Sequence, residues 1–164
     1  NAGIGFDAEL VRRVDALGRR RDGKRPGDVA FGWTVVRMLV DHRFRFEQAL
    51  EVEGLGRAAF AFVANCSPYT YAGGVGLRFA PDATFEGGLD LVAPTTVRAR
   101  AVPRLLVQAV RGLAARKDVL YAHDLDHVVI RCDRPLPLQV DGEDVGDVEL
   151  AVIEAERDAL TVLV

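Results

Sequence analysis

The sequence predicts a mainly β, α+β domain: an antiparallel β-sandwich with about three flanking helices. Three observations carry this. Short apolar, β-branched runs separated by turn residues fill most of the second half, as in "HVVIRCD", "LPLQVD" and "VELAVIEA". Helical periodicity is confined to three stretches. Strands and helices alternate too sparsely for a doubly wound α/β sheet. The 164 residues suit one domain over 1–164, and 49% hydrophobic with 27% charged residues is a globular balance.

The elements follow in order. "AGIGF" (Ala2 to Phe6) reads as a short strand. Leu10, Val11, Val14 and Leu17 then share one face at the helical period, with Asp7 where an N-cap belongs and Gly18 near the end. A second helix is expected from Gly27 or Asp28 to Asp41. Val29, Trp33, Val36 and Val40 form its apolar stripe, and Phe31, Met38 and Leu39 extend it nearly all round. Such a helix is deeply buried or lines something apolar. From Phe44 the pattern turns to strands, with "RAAFAFVANCS" full enough in apolar residues for a central one. The Gly- and Pro-rich stretch from Pro68 to Pro94 suggests short strands and tight turns. A third helix is expected from about Ala101 to Gly112, with Pro103 in its first turn and Val102, Leu105, Leu106, Ala109, Val110 and Leu113 on one face. The strands "VLYAH", "HVVIRCD", "LPLQVD", "VELAVIEA" and "ALTVLV" complete the chain. Asp141-Gly142 marks a tight hairpin turn.

Composition excludes several classes. A net charge of −3 gives no reason to expect nucleic acid. The longest apolar runs fall short of the roughly 18 residues a membrane span needs. Cys66 and Cys132 read as free thiols of a reducing compartment, without metal-ligand spacing. Ser67 lacks a nucleophile elbow. "HDLDH" (His123 to His127) reads as a polar turn rather than a metal site, because its two histidines share a face only on a helix. The basic run Arg12 to Arg25 complements a helix C-terminus, or faces nucleotide phosphates or an anionic bilayer. The opening "NAGIGF" lacks Met and starts inside a strand-like run, so an N-terminal part is expected to be missing.

"NAGIGFDA" at the start and "LQVDGE" near the end, with "VAN" (Val63 to Asn65), "AGG" (Ala72 to Gly74), "PDA" (Pro81 to Ala83) and "GGLDL" (Gly87 to Leu91) between them, form an ordered set. The set resembles the C-terminal domain of the diacylglycerol kinase-like lipid kinases, the bacterial diacylglycerol kinase and sphingosine kinase superfamily. The resemblance covers essentially the whole chain.

It implies the lipid-substrate domain of a two-domain, ATP-dependent kinase that phosphorylates a lipid hydroxyl, most simply diacylglycerol to phosphatidic acid. A separate N-terminal domain would bind ATP with its Mg²⁺; this chain contains no phosphate-binding glycine loop of its own. Alone it is expected to be inactive. The resemblance implies Glu143 as general base, Asp141 and Gly142 beside the nucleotide, and Asp7 on the lipid head group. Phe31 and Trp33 are candidates for the acyl slot. The enzyme would be cytoplasmic and peripheral to the inner membrane face, and pairing of sheet edges could make a homodimer.

One departure stands out. Many bacterial members read Asp-Gly-x-Leu where this chain has Gly87-Gly88-Leu89-Asp90, and that Asp holds a structural Mg²⁺. Gly87 offers only a carbonyl, so that metal site is expected to be lost. The alternative for the whole chain is a non-catalytic lipid- or carbohydrate-binding sandwich whose hairpin is only structural.

Overall fold

The structure is a computed structural model that describes residues 1–18, 27–72, 74–101, 104, 107, 111, 118–157 and 159, with the backbone alone at Asp28 and Ala72. β1 (Ala2–Ile4) leads into α1 (Phe6–Ala16), and α2 (Asp28–Asp41) is the next described element. Short strands follow: β2 (Arg45–Phe46), β3 (Leu50–Val52), β4 (Gly56–Ala58), β5 (Ala61–Ala64), β6 (Thr70–Ala72), β7 (Val75–Leu77), β8 (Leu89–Pro94) and β9 (Val97–Arg98). A 3-10 turn covers Ala99–Ala101. Three longer strands are β10 (Val119–Leu125), β11 (His127–Val140) and β12 (Glu143–Glu154). The helix expected from about Ala101 to Gly112 lies outside the described residues apart from Ala101, Arg104, Val107 and Arg111, and the expected strand "ALTVLV" lies outside them apart from Ala159.

The main sheet runs β10-β8-β5-β1-β11-β3-β4, with β12 on the other edge of β11, and every pairing is antiparallel. β11 organises it. Its Ile130–Cys132 segment pairs with β3, its Leu138–Val140 segment pairs with β1, and β12 follows it along the opposite side. The β11–β12 ladder is interrupted between Arg131 and Leu136. Pro135 falls in this interruption, where a strand tolerates a residue that cannot donate. β4 comes back towards β10, so the sheet is nearly a barrel.

Alternation builds the core on both faces of the central strands. Ala61 and Val63 of β5 join Ile4, Leu50, Leu91 and Ile130 in one cluster. Phe62 and Ala64 of the same strand join Phe60, Tyr69, Val92 and Val119 in the other. All four residues of β5 are buried, as the apolar "AFVA" run requires.

The helices differ from expectation in two ways. The N-cap of α1 is Gly5, at φ 86°, and it makes no side-chain capping bond. Asp7 lies inside the first turn, so its predicted capping role is corrected. On α2 the stripe Val29, Trp33, Val36 and Val40 faces outward, with exposures of 88, 68, 46 and 53%. The buried side is Thr34, Met38 and Leu39, and Met38 packs on Leu10 and Val14 of α1. A helix apolar nearly all round leaves its inward side undetermined by periodicity.

"HDLDH" forms the turn from β10 into β11, with Asp124 at φ 56°. Asp124 Oδ1 accepts from Gly88 N at 2.7 Å and from Arg157 Nη2 at 2.9 Å. The Gly88 backbone bond, then Arg157, holds the Asp124 carboxyl below the usual range. The fully buried Asp90 accepts from Asp124 N at 3.1 Å and lies 2.8 Å from His123 Nδ1. At Gly87 a Cβ would stand 3.1 Å from Thr84 Oγ1. At Gly88 it would stand 2.4 Å from the Leu125 carbonyl oxygen and 2.8 Å from Arg157 Nη2. Gly88→Ala is therefore expected to cost about 2–3 kcal/mol by overpacking against backbone. A thermal melt should show this as a Tm lower by about 5–10 °C.

Candidate active site

The opening motif and the hairpin are adjacent strands. Ala2 pairs with Val140, Gly3 with Gln139 and Ile4 with Leu138. The hairpin between β11 and β12 is closed by Asp141 at φ 48° and Gly142 at φ 81°. Positive φ at both central residues is the tight turn that favours Asp-Gly. Glu143 is the first residue of β12, opposite Val140, and is exposed.

Asn1, Gly3, Gly5 and Asp7 of "NAGIGFDA" each have a local reason. The Asn1 carbonyl accepts from Asp141 N at 2.8 Å, and the Asn1 backbone nitrogen donates to Asp141 Oδ1 at 2.7 Å. Its side chain accepts from Asn65 N at 2.9 Å and donates to the Tyr69 carbonyl at 3.0 Å. A Cβ on Gly3 would lie 2.4 Å from Asp7 Oδ2, so glycine there makes room for that carboxylate. Gly5 takes the left-handed φ that swings the chain from strand into helix.

Asp7 is thereby turned back over β1. Its Oδ2 accepts from Tyr69 Oη at 2.8 Å and from Gln139 Nε2 at 2.6 Å. Gln139 Nε2 also lies 2.8 Å from Tyr69 Oη, and its Oε1 accepts from Gly142 N at 2.7 Å. Gln139 therefore links the helix-borne acid to the hairpin turn. Tyr69 is buried against Phe62 and Phe79, with ring centroids 5.4 Å away in each case. That packing aims its hydroxyl. Burial pushes the Asp7 carboxyl above its ordinary value, against the opposing pull of the Tyr69 and Gln139 bonds. Burial first, then the nearby Asp7 charge, raises the Tyr69 phenol well above its usual range, so it stays a donor.

The structure thus brings together Asp7, Asp141, Gly142 and Glu143. Phe31 and Trp33 are on α2, outside this network: Phe31 packs on the Leu10–Val14–Met38 cluster, and Trp33 is 68% exposed. Sequence reading missed Gln139, Tyr69 and Asn1. Gln139 had a signal, since it is a polar residue at an inward position of an apolar strand. Asn1 and Tyr69 had none beyond membership of the motif region.

Arg12 and Arg13 of the basic run face carboxylates. Arg12 Nε donates to Asp144 Oδ2 at 2.8 Å, and Arg13 bonds Asp41 and Glu9 at 2.5 Å each. Arg19, Arg20, Arg21, Lys24 and Arg25 lie outside the described residues. Cys66 and Cys132 are free thiols, both half-buried, and burial raises Cys132. Among the described residues no group of three or more His, Cys, Asp or Glu side chains could hold a metal ion. No described helix is long and apolar enough to cross a membrane.

Fold and site together define a β-sandwich-like domain whose hairpin turn is linked through Gln139 to an acid on the first helix. The chain belongs to the family described as the YegS C-terminal NAD kinase beta sandwich-like domain, whose sequence pattern matches residues 1–164. A solved structure titled "putative diacylglycerol kinase" from Bacillus anthracis str. Sterne is similar at 17% identity with a TM-score of 0.55, over 95% of this chain and 50% of that one. Another structure, titled as one of the diacylglycerol kinases of the same organism, is 12% identical with a TM-score of 0.48, over 94% of this chain and 46% of that one. This chain spans about half the length of these proteins. At 17% identity the first of these likenesses is one of fold. The comparison with curated proteins found no match.

Proposed function

We propose that this chain is the lipid-substrate domain of an ATP-dependent lipid kinase, with Glu143 as general base. The observation that carries the reading is the Gln139 bridge, which ties Asp7 to the Asp-Gly-Glu turn through contacts of 2.6 and 2.7 Å. A hairpin stabilising only itself has no use for a buried acid 132 residues away in sequence.

In this reading MgATP is a substrate delivered by a separate nucleotide-binding domain. Asp141 and Gly142 face it at the turn. Both hydrogen bonds to Asp7 land on Oδ2, so a lipid hydroxyl would donate to Oδ1. Glu143 takes the proton of the reacting hydroxyl as its oxygen bonds the γ-phosphorus and the bond to the ADP oxygen breaks. Phosphoryl transfer is a loose process, so the domain contributes position more than basicity. The outward stripe of α2, with Trp33 at its middle, faces the acyl chains or the inner membrane surface.

That stripe also favours a second reading, a lipid-binding module without catalysis. One assay decides between them. Full-length protein with MgATP and a panel of diacylglycerol, sphingoid base, ceramide and polyprenol in mixed micelles should phosphorylate one class, with diacylglycerol expected first. Lipid binding without phosphorylation of any member would establish the module instead.

A further inference from the structure

The tip of the hairpin is separated from the rest of its ladder. Pairing shifts between Leu138 and Gln139: Leu138 opposes Gly146, whereas Gln139 opposes Asp144, which leaves Val145 as an extra residue on β12. Gly146 takes φ 110°, and its N–H bonds Asp144 Oδ1 at 3.1 Å. This is a β-bulge, which bends a strand and re-aims the residues beyond it. Glu143 stands beyond it. Something must set the angle of that bend.

Arg12 of α1 spans the bulge. Its Nε and Nη2 donate to the two oxygens of Asp144 at 2.8 and 3.0 Å, on the tip side. Its Nη2 also lies 2.6 Å from Asp147 Oδ1, on the ladder side. α1 itself packs on β11 and β12, so the guanidinium is anchored to the body of the domain. Asp144 and Asp147 would otherwise be two unbridged carboxylates on either side of the bend. A planar fork with fixed donor geometry can hold both, which a point charge on a flexible stem cannot.

We propose that Arg12 is a positioning residue that fixes the bend at Val145 and so holds Glu143 in its working place. The inference rests on the kinase reading for its effect on turnover, but not for its effect on the hairpin. Arg12 acts through Asp144, the neighbour of Glu143.

The test uses the full-length enzyme and the variants Arg12→Gln, Arg12→Lys, Asp147→Asn, Glu143→Gln and the double variant Arg12→Gln/Glu143→Gln. Arg12→Gln should lower kcat about tenfold, the scale of a small misplacement of a reacting group. The KM for ATP should stay within about twofold. Arg12→Lys should recover only part of the loss, and Asp147→Asn should lose part. Amide hydrogen exchange over residues 139–146 should quicken in Arg12→Gln, with other segments unchanged. In the Glu143→Gln background the Arg12 change should cost nothing further. Multiplicative losses in the double variant, or an Arg12→Gln enzyme with wild-type kcat and hairpin exchange, would overturn the proposal. If Glu143→Gln alone keeps full turnover, the base assignment fails separately, and hydrogen exchange alone then decides whether Arg12 holds the bend.

Discussion

Glu143→Gln in the full-length enzyme is expected to lower kcat by about 10², the usual contribution of a positioned general base. That is about 2.7 kcal/mol of transition-state stabilisation. The amide keeps the size and most of the hydrogen-bonding shape of the side chain but cannot take a proton. The residue is exposed at the start of β12, so no core contact is removed and Tm should stay within about 2 °C. ATP binding, read by a fluorescent analogue, should be unchanged. Initial rates at saturating lipid and ATP measure the effect. Turnover within a factor of two of the parent enzyme would remove Glu143 from the chemistry and return the hairpin to a structural role.

Asp7→Asn is the second large expectation, and here stability and activity should part. The amide oxygen can still accept from Tyr69 and Gln139, so the network survives. What disappears is a charge that burial disfavours. A carboxyl whose folded pKa lies above its ordinary 3.8 holds its proton more tightly in the fold than in the unfolded chain. Its contribution to stability therefore falls as pH rises from 3.8 through the raised value, and the deficit persists above that window. Asp7→Asn escapes this deficit. Its Tm relative to the parent should climb as pH rises above the ordinary carboxylate value of 3.8 and be equal or higher at neutral pH. Meanwhile kcat/KM for the lipid should drop roughly 10- to 100-fold, the value of a hydrogen bond to a charged acceptor. On the proposed function, the loss of lipid turnover without a loss of stability is what a substrate role for Asp7 predicts. Thermal melts at the two pH values, together with lipid-dependence kinetics, separate the two effects. If the variant is both destabilised at neutral pH and fully active, Asp7 is structural.

Much of this was legible in the residues. Asp141-Gly142 announced its turn because few other pairs tolerate two positive φ values in succession. α2 began and ended where Gly27 and Asp41 indicated. β5 read as central because "AFVA" offers no polar face. Other features were hidden for definite reasons. The inward side of α2 was ambiguous because apolar residues surround it. Asp7 looked like a cap because Asp before a helical pattern usually is one, and only the φ of Gly5 moves the helix start two residues earlier. Tyr69 and Asn1 meet Asp7 and Asp141 through sheet pairing, which single-sequence periodicity does not encode. Arg12 looked like part of a basic run, and its partners lie 132 and 135 residues away.

β11 carries a consequence of its own. One half of that strand is stitched to β3, the other half to β1, and the acid-bearing turn hangs at its far end. The domain thus has a single spine instead of two separable leaves. Slippage of that spine by one residue would expose half the interior and carry Glu143 to the wrong side of the sheet in the same motion. Placement of the turn at the tip and correct burial at the base are one and the same registration.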